Sequence, residues 1–391
     1  MKKQSAIKLT LLLASMLSIL ANAIISPALP EINKAFSAVP NAEVLSKLLM
    51  TLPALTIALF ASFMGSLIDK YGRKKILVVS LLIFALAGTS GLWLGSLIQI
   101  LIGRFFLGFG VAGVMIATTT LIGDYYRNEE RNQFISWQGA FSGFGGLLFI
   151  TLAGYLTNIS WRMPFAIYGF SLLIFLMAVR FIYEPQTQKN ENDYIQTSTQ
   201  AVDKKILYLI YFSAFIGIIL FYILPLQIPF YLKTFANVNS QMAGWAIAAL
   251  TTAQALASFF YRKLKSKFSY QSIYGISFII MAVGYFSIYQ STSYWQIMVS
   301  LMLSGVGVAW LMPNSNLWLM AIIPDQWRGK YIGRLTTFIF LGQFISPFFV
   351  QPIQLWVGAK STFLVFSLLM VLISGGYFVG GYFKKSLAVN I

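Results

Sequence analysis

Twelve long apolar runs recur along this chain, near 8–28, 46–68, 76–94, 97–123, 133–156, 163–183, 206–230, 241–261, 270–289, 294–320, 332–355 and 362–383. A hydrocarbon core about 30 Å thick is crossed by roughly 20 helical residues, and backbone in lipid must satisfy its own hydrogen bonds. Each run is therefore read as a membrane-spanning helix, and the 391 residues leave almost nothing for a separate soluble domain. Composition agrees: 58% of the residues are hydrophobic and 10% charged, where soluble globular chains carry about 25% charged residues. The fold class that follows is all-α integral membrane, with twelve transmembrane helices. The first run has the outline of a secretory signal, with Lys2, Lys3 and Lys8 and then Ala21-Asn22-Ala23. Its apolar character continues to Pro27 and eleven runs follow, so an uncleaved first helix is expected.

The formal net charge is +17, from 28 Lys and Arg against 11 Asp and Glu. In a soluble protein that surplus suggests a nucleic-acid partner; in a membrane protein its position decides. Twenty-two of the 28 basic residues fall at the termini and in alternate connections, among them Lys70, Arg73, Lys74 and Lys75, then Arg262, Lys263, Lys265 and Lys267. Five fall in the other connections (Lys34, Lys47, Arg162, Lys233 and Lys360), and Arg104 lies inside a run. This asymmetry is the positive-inside signal, so both termini are expected in the cytoplasm, with an inner-membrane location and no nucleic-acid partner.

The longest polar interval, about 185–205, mixes Pro, Gln, Asn, Ser and Thr with charges of both signs, and reads as a solvated linker. It divides the runs into a six-helix bundle over 1–184 and another over 206–391, an arrangement expected of bundles that move against each other. The connections after runs four and ten, from Asp124 to Arg131 and from Asp325 to Arg334, form a weak internal repeat of an acid followed by basic residues.

With no Cys and no His, Cys/His zinc sites and Ser–His or Cys–His catalysis are excluded. No G-x-x-x-x-G-K-[ST] phosphate loop is present, so direct ATP drive, an enzymatic activity and a cofactor are not expected. The most specific segment is Gly65-Ser66-Leu67-Ile68-Asp69-Lys70-Tyr71-Gly72-Arg73-Lys74-Lys75. Gly65 near a helix end permits close approach of a neighbouring helix. Asp69 sits at the membrane boundary, where it can pair with a cation or a helix N-terminus. Gly72 relieves a tight turn.

This segment resembles the G-x-L-x-D-R-x-G-R-K-x loop of the major facilitator superfamily, with Lys70 in place of the usual Arg. Pro27-Ala28-Leu29-Pro30, Arg104 with Gly108 and Gly110, Trp161-Arg162-Met163-Pro164-Phe165, Gly305-Val306-Gly307, Pro313, Arg328-Gly329-Lys330, Gly333, Gln343 and Pro347 extend the resemblance toward its twelve-span drug–proton antiporter branch. The resemblance implies alternating access, with Asp69 docked against span eleven and Arg73 paired with Asp124 as a cytoplasmic latch. One departure concerns span five: the branch's G-P-x-x-G-G-like stretch lacks its proline here, although Gly143, Gly145, Gly146 and Gly154 remain.

Arg104 is the one charge well inside a run. It either faces a central cavity or bonds backbone carbonyls within the first bundle. Glu31, Asp69 and Asp124 are the candidate proton carriers of the first half. The amides Asn22, Gln138, Gln227, Gln254, Asn314, Asn316 and Gln343 must point away from lipid, either lining a cavity or bridging two helices. Aromatics such as Tyr222, Trp245, Trp310 and Trp318 read individually as anchors or packing. The expected function is export of a small organic molecule by a monomer, in exchange for protons, with neutral or anionic substrates favoured because of Arg104. The alternatives are a nutrient importer or facilitator of the same fold and a non-transporting receptor or assembly factor.

Overall fold

The computed structural model describes residues 2–185, 203–235, 237–324 and 327–389. Among them every regular element is helical: α1 (Lys2–Ala23), α2 (Ala42–Tyr71), α3 (Arg73–Gly88), α4 (Leu97–Tyr125), α5 (Asn128–Ile159), α6 (Phe170–Phe181), α7 (Lys204–Leu232), α8 (Ser240–Ser258), α9 (Tyr270–Gln290), α10 (Tyr294–Ala309, continued by Leu311–Ile322), α11 (Arg328–Val357) and α12 (Ala359–Val389). Eleven stretches are long and apolar enough to cross a membrane. The remaining run, 241–261, forms α8, whose Gln241, Thr251, Thr252 and Gln254 lower its hydropathy and which packs between α5 and α10. Most of the expected linker, 186–202, and Asp325 of the expected repeat lie outside the described residues.

The helices depart from unbroken runs where proline or a bulky residue interrupts the ladder. α1 stops at Ala23, and a 3₁₀ turn (Ser26–Ala28) and a short helix (Leu29–Ala35) follow, with Pro27 and Pro30 in their first turns. A proline there removes only an N–H that has no helical partner. Span six begins as a 3₁₀ segment (Met163–Gly169) after Arg162, which donates to the Gly91 and Leu94 carbonyls and so ties down the α3–α4 connection.

Two apolar cores form. One gathers Leu11, Ile57, Phe84, Val111 and Phe165 and reaches Tyr222 and Leu226 of α7. The other gathers Ile210, Leu250, Phe278, Leu301 and Phe363 and reaches Ile150 of α5. The halves meet where α5 packs on α8 and α2 on α11. Small residues let backbones approach there: a Cβ on Gly154 would stand 3.0 Å from the Gly244 Cα. Within the first half, a Cβ on Gly108 would stand 2.5 Å from the Pro53 carbonyl, so α2 and α4 are in backbone contact. Gly65 plays no such part, since a Cβ added to it would meet open space. Leu86, Ile102, Leu176 and Leu372 are exposed, as the outside of a membrane bundle requires.

Candidate functional site

Successive helices run in opposite directions, which places the loops with Lys70–Lys75 and Arg262–Lys267 at one end, the basic end, and Glu31, Lys47, Lys233 and Gln351 at the far end. The far end is shut by polar contacts between the halves. Helix α2 begins at Ala42, just after Asn41 at φ 59°, so Glu43 and Lys47 lie one turn apart on the same helix face. Lys47 is fully buried, and its Nζ donates to Glu43 Oε1 (2.6 Å), Gln351 Oε1 (2.6 Å) and Gln354 Oε1 (3.1 Å). An ammonium has three N–H donors, and here each has an acceptor. The Phe230 ring, 5.1 Å away, covers another side of it. Gln354 Nε2 returns a bond to Glu43, Lys233 pairs with Glu31, and the Ser26 hydroxyl donates to the Pro225 carbonyl. Helices α1 and α2 are thereby joined to α7 and α11.

Among the described residues, the polar contacts at the basic end stay within one half or the other. Arg73 Nε bonds Asp124 Oδ2 at 3.1 Å, the pair that the loop resemblance implies. The Glu184 carboxylate accepts from the backbone N–H groups of Arg73 (2.7 Å) and Lys74 (2.8 Å), placing a negative charge at the N-terminus of α3. Gly72, at φ 93°, makes room for it, since a Cβ would stand 2.8 Å from that carboxylate. Glu184, the residue just before the expected linker, is thus part of the loop's scaffold. Asp69 is exposed and forms no ion pair or hydrogen bond among the described residues, so its expected docking against span eleven is absent in this conformation.

Between the ends, a cavity of about 460 Å³ lies between the halves, lined by α1, α5, α7, α8 and α10. Its polar lining comprises Ser18, Asn22, Ser142, Tyr222, Thr251, Gln254 and Ser258; Ile19, Phe221, Met312 and Pro313 supply apolar surface. A second hollow of about 540 Å³ shares Gly139, Gly143, Ala255 and Ser258 with it and continues between α5 and α8 to Ile135 and Phe259, toward the basic end. A larger groove of about 740 Å³ around Phe60, Leu86 and Phe106 is almost wholly apolar and belongs to the outer surface of the first half.

The seven amides divide accordingly. Asn22 and Gln254 line the cavity. Asn22 also accepts from Gln343 Nε2 at 2.9 Å, which bridges α1 and α11. Gln138 bonds Ser15 across α5 and α1, and Asn314 is buried between the Tyr261 hydroxyl and the Tyr270 carbonyl. Asn316 bonds its own helix at Met312. Gln227 is buried on α7 with its Nε2 unpartnered among the described residues. Arg104 takes the second of its two readings: fully buried, it donates to the carbonyls of Leu49 (2.6 Å) and Ala21 (2.6 Å), lies over the Tyr168 ring, and is not part of the cavity lining. It ties α1, α2 and α4 together. Glu31 belongs to the far-end closure and Asp124 to the basic-end scaffold.

Sequence reasoning missed Lys47, Glu43, Gln351, Gln354 and Lys233, and left Tyr222 as packing. The spacing of Glu43 and Lys47 was a usable signal, because i,i+4 pairs share a helix face.

The family model described as Major Facilitator Superfamily matches residues 11–239 and 210–386. The chain belongs to that superfamily. It is a multi-pass membrane transporter, not an enzyme. Among its relatives, the quinolone resistance protein NorA of Staphylococcus aureus strain MRSA252 is 24% identical over 313 residues, covering 77% of this chain and 78% of the relative. The class B tetracycline resistance protein of Escherichia coli is 27% identical over 261 residues, 61% of each chain. Both stand on the drug-resistance side of the superfamily, in keeping with the branch that the motifs resemble. The fold matches a bacterial homologue of the human lysosomal transporter Spinster in an inward-facing, occupied conformation, with TM-score 0.80 and 18% identity over 98% of this chain and 97% of that one. It also matches a D-xylose–proton symporter, with TM-score 0.77 and 17% identity over 95% and 96%.

Proposed function

We propose that this facilitator exports a small, drug-like organic molecule by alternating access in exchange for protons, acting as a monomer in the inner membrane with its basic end in the cytoplasm. The observation that carries the reading is the cavity built jointly by helices of both halves, with a path toward the basic end and polar closure at the far end. A solute entering from the basic side reaches Asn22 and Gln254 before it meets the Lys47 closure. Release on the other side requires that closure to part and the basic ends to approach, which would bring Asp69 toward α11. The two cores supply the units for such a rocking motion over 1–184 and 206–391. The quinolone and tetracycline resistance relatives support export of drug-like molecules, and the basic residues at one end support the orientation. Glu31, Asp69 and Asp124 remain the proton-exchange candidates, Asp69 first because it is uncommitted.

The test is flux in proteoliposomes with an imposed pH gradient, using norfloxacin and tetracycline as probes. Uphill movement from the basic side to the far side, abolished when the gradient is collapsed, is the expected result. Movement in the same direction as the protons would make the protein an importer and overturn the export reading.

A further inference from the structure

The lining of the cavity has an unusual charge balance for a path between two aqueous faces. None of the described side chains that line it or the adjoining hollow is Asp, Glu, Lys or Arg. The charges nearest in function are committed elsewhere: Arg104 to two backbone carbonyls, Lys47 to Glu43 and two glutamines, Glu31 to Lys233. Hydrogen-bonding capacity, by contrast, is available. The Gln254 amide and the Tyr222 and Ser142 hydroxyls form no hydrogen bond with described residues, and Asn22 donates only one of its two amide N–H groups.

A charged solute entering such a site gives up hydration without gaining a counter-charge, and the dipoles of amides and hydroxyls recover only part of the loss. A neutral solute exchanges water hydrogen bonds for protein ones at little net cost and adds the burial of its apolar surface against Phe221, Ile19 and Met312. We propose that the cavity selects amphipathic solutes without net charge, held by Gln254, Tyr222, Ser142 and Asn22, and that their binding takes up and releases no proton. Resting on the reading of this cavity as the substrate site, the proposal narrows the preference for neutral or anionic solutes drawn from Arg104 to neutral ones. Its second consequence follows from the lining itself: among the described residues that line the cavity, the titratable side chain is the Tyr222 phenol, and phenols ionise near pH 10. Proton exchange then occurs outside the substrate site, and coupling is conformational rather than a direct competition between proton and solute.

The probes are three nearly isosteric naphthalenes, 2-naphthamide, the 2-naphthamidinium cation and 2-naphthoate, with equilibrium binding measured on the full chain from pH 5.5 to 8.5. The amide is expected to bind equally across that range, and both ions at least about tenfold more weakly, a difference of 1.4 kcal/mol or more. Gln254→Glu, or Ser142→Asp on the facing helix, is expected to raise affinity for the amidinium about tenfold and to make it fall as acid neutralises the new carboxylate. Equal binding of either ion and the amide by the unmodified protein, a pH-dependent amide affinity, or no binding of the amide overturns the proposal. Selective, pH-independent amide binding together with absence of gradient-driven flux supports the proposal and overturns only the export reading.

Discussion

A guanidinium inside a bilayer is costly wherever it stands, and Arg104 offsets that cost through two short bonds to carbonyls of α1 and α2 and through the face of Tyr168. Lysine in its place is a compact point charge without the planar fork, so it cannot reach the Leu49 and Ala21 carbonyls through two separated nitrogens and holds them in poorer geometry. Arg104→Lys is therefore expected to cost about 1.5–3 kcal/mol, the scale of one hydrogen bond to a charged group. Thermal unfolding in detergent measures this as a lower Tm, with amide-over-ion selectivity of the folded fraction unchanged; lost selectivity would put Arg104 at the substrate. The sequence marks this arginine because it interrupts a long apolar run. It does not mark Lys47, which stands two residues inside the edge of an apolar run and reads as an interfacial charge. The helix starts a turn earlier, at Ala42, and carries Lys47 into the interface between the halves.

Helix ends carry the next level of organisation. The α2–α11 contact owes its polar character to Lys47, whose removal leaves Glu43 and two glutamines facing one another without their donor. Breaking a buried pair of this kind costs about 3 kcal/mol or more, which is over a hundredfold in an equilibrium between closed and open states. The chain has no Cys, so spin labels can be placed on cysteines introduced at Ser37 and Lys360 without removing any native cysteine. Lys47→Met is expected to move the label-to-label distance distribution to longer values. An unchanged distribution would show that the helices stay together without the lysine. At the other end, Glu184→Gln removes the charge that complements the α3 N-terminus, worth about 0.3–1 kcal/mol at an exposed site. A correspondingly small fall in Tm is expected, with the Arg73–Asp124 pair kept; a loss larger than this range would mean that Glu184 supports more than one helix end.

The whole molecule is a pair of cores with different contacts at their two ends. Polar bonds join the halves at the far end and at Asn22–Gln343, while the path from the cavity leads to the basic end. A cysteine introduced at Ser258, on the cavity wall, is expected to react with an impermeant maleimide added at the basic side and to be protected from the far side. Adding Lys47→Met is expected to open reactivity from the far side. Labelling from the far side alone in the parent protein would reverse the assigned state.

The number of spans, their order and the clustering of positive charge at one end are determined by the sequence, because apolar length and loop charge are local properties that lipid acts on directly. The Arg73–Asp124 pair was also legible, through the loop's resemblance to a family pattern. Periodicity requires that an amide avoid lipid but does not choose its neighbour, so Asn22 and Gln254 could not be separated from Asn314 and Gln138. That choice is made by contacts between residues as far apart as Asn22 and Gln343 or Lys47 and Gln351. Tertiary structure alone decided which end is shut, that Arg104 serves packing, and that the cavity between the halves carries hydrogen-bonding groups and no charge. These depend on how the helices around the two apolar cores face each other, and no local stretch of sequence encodes that relation.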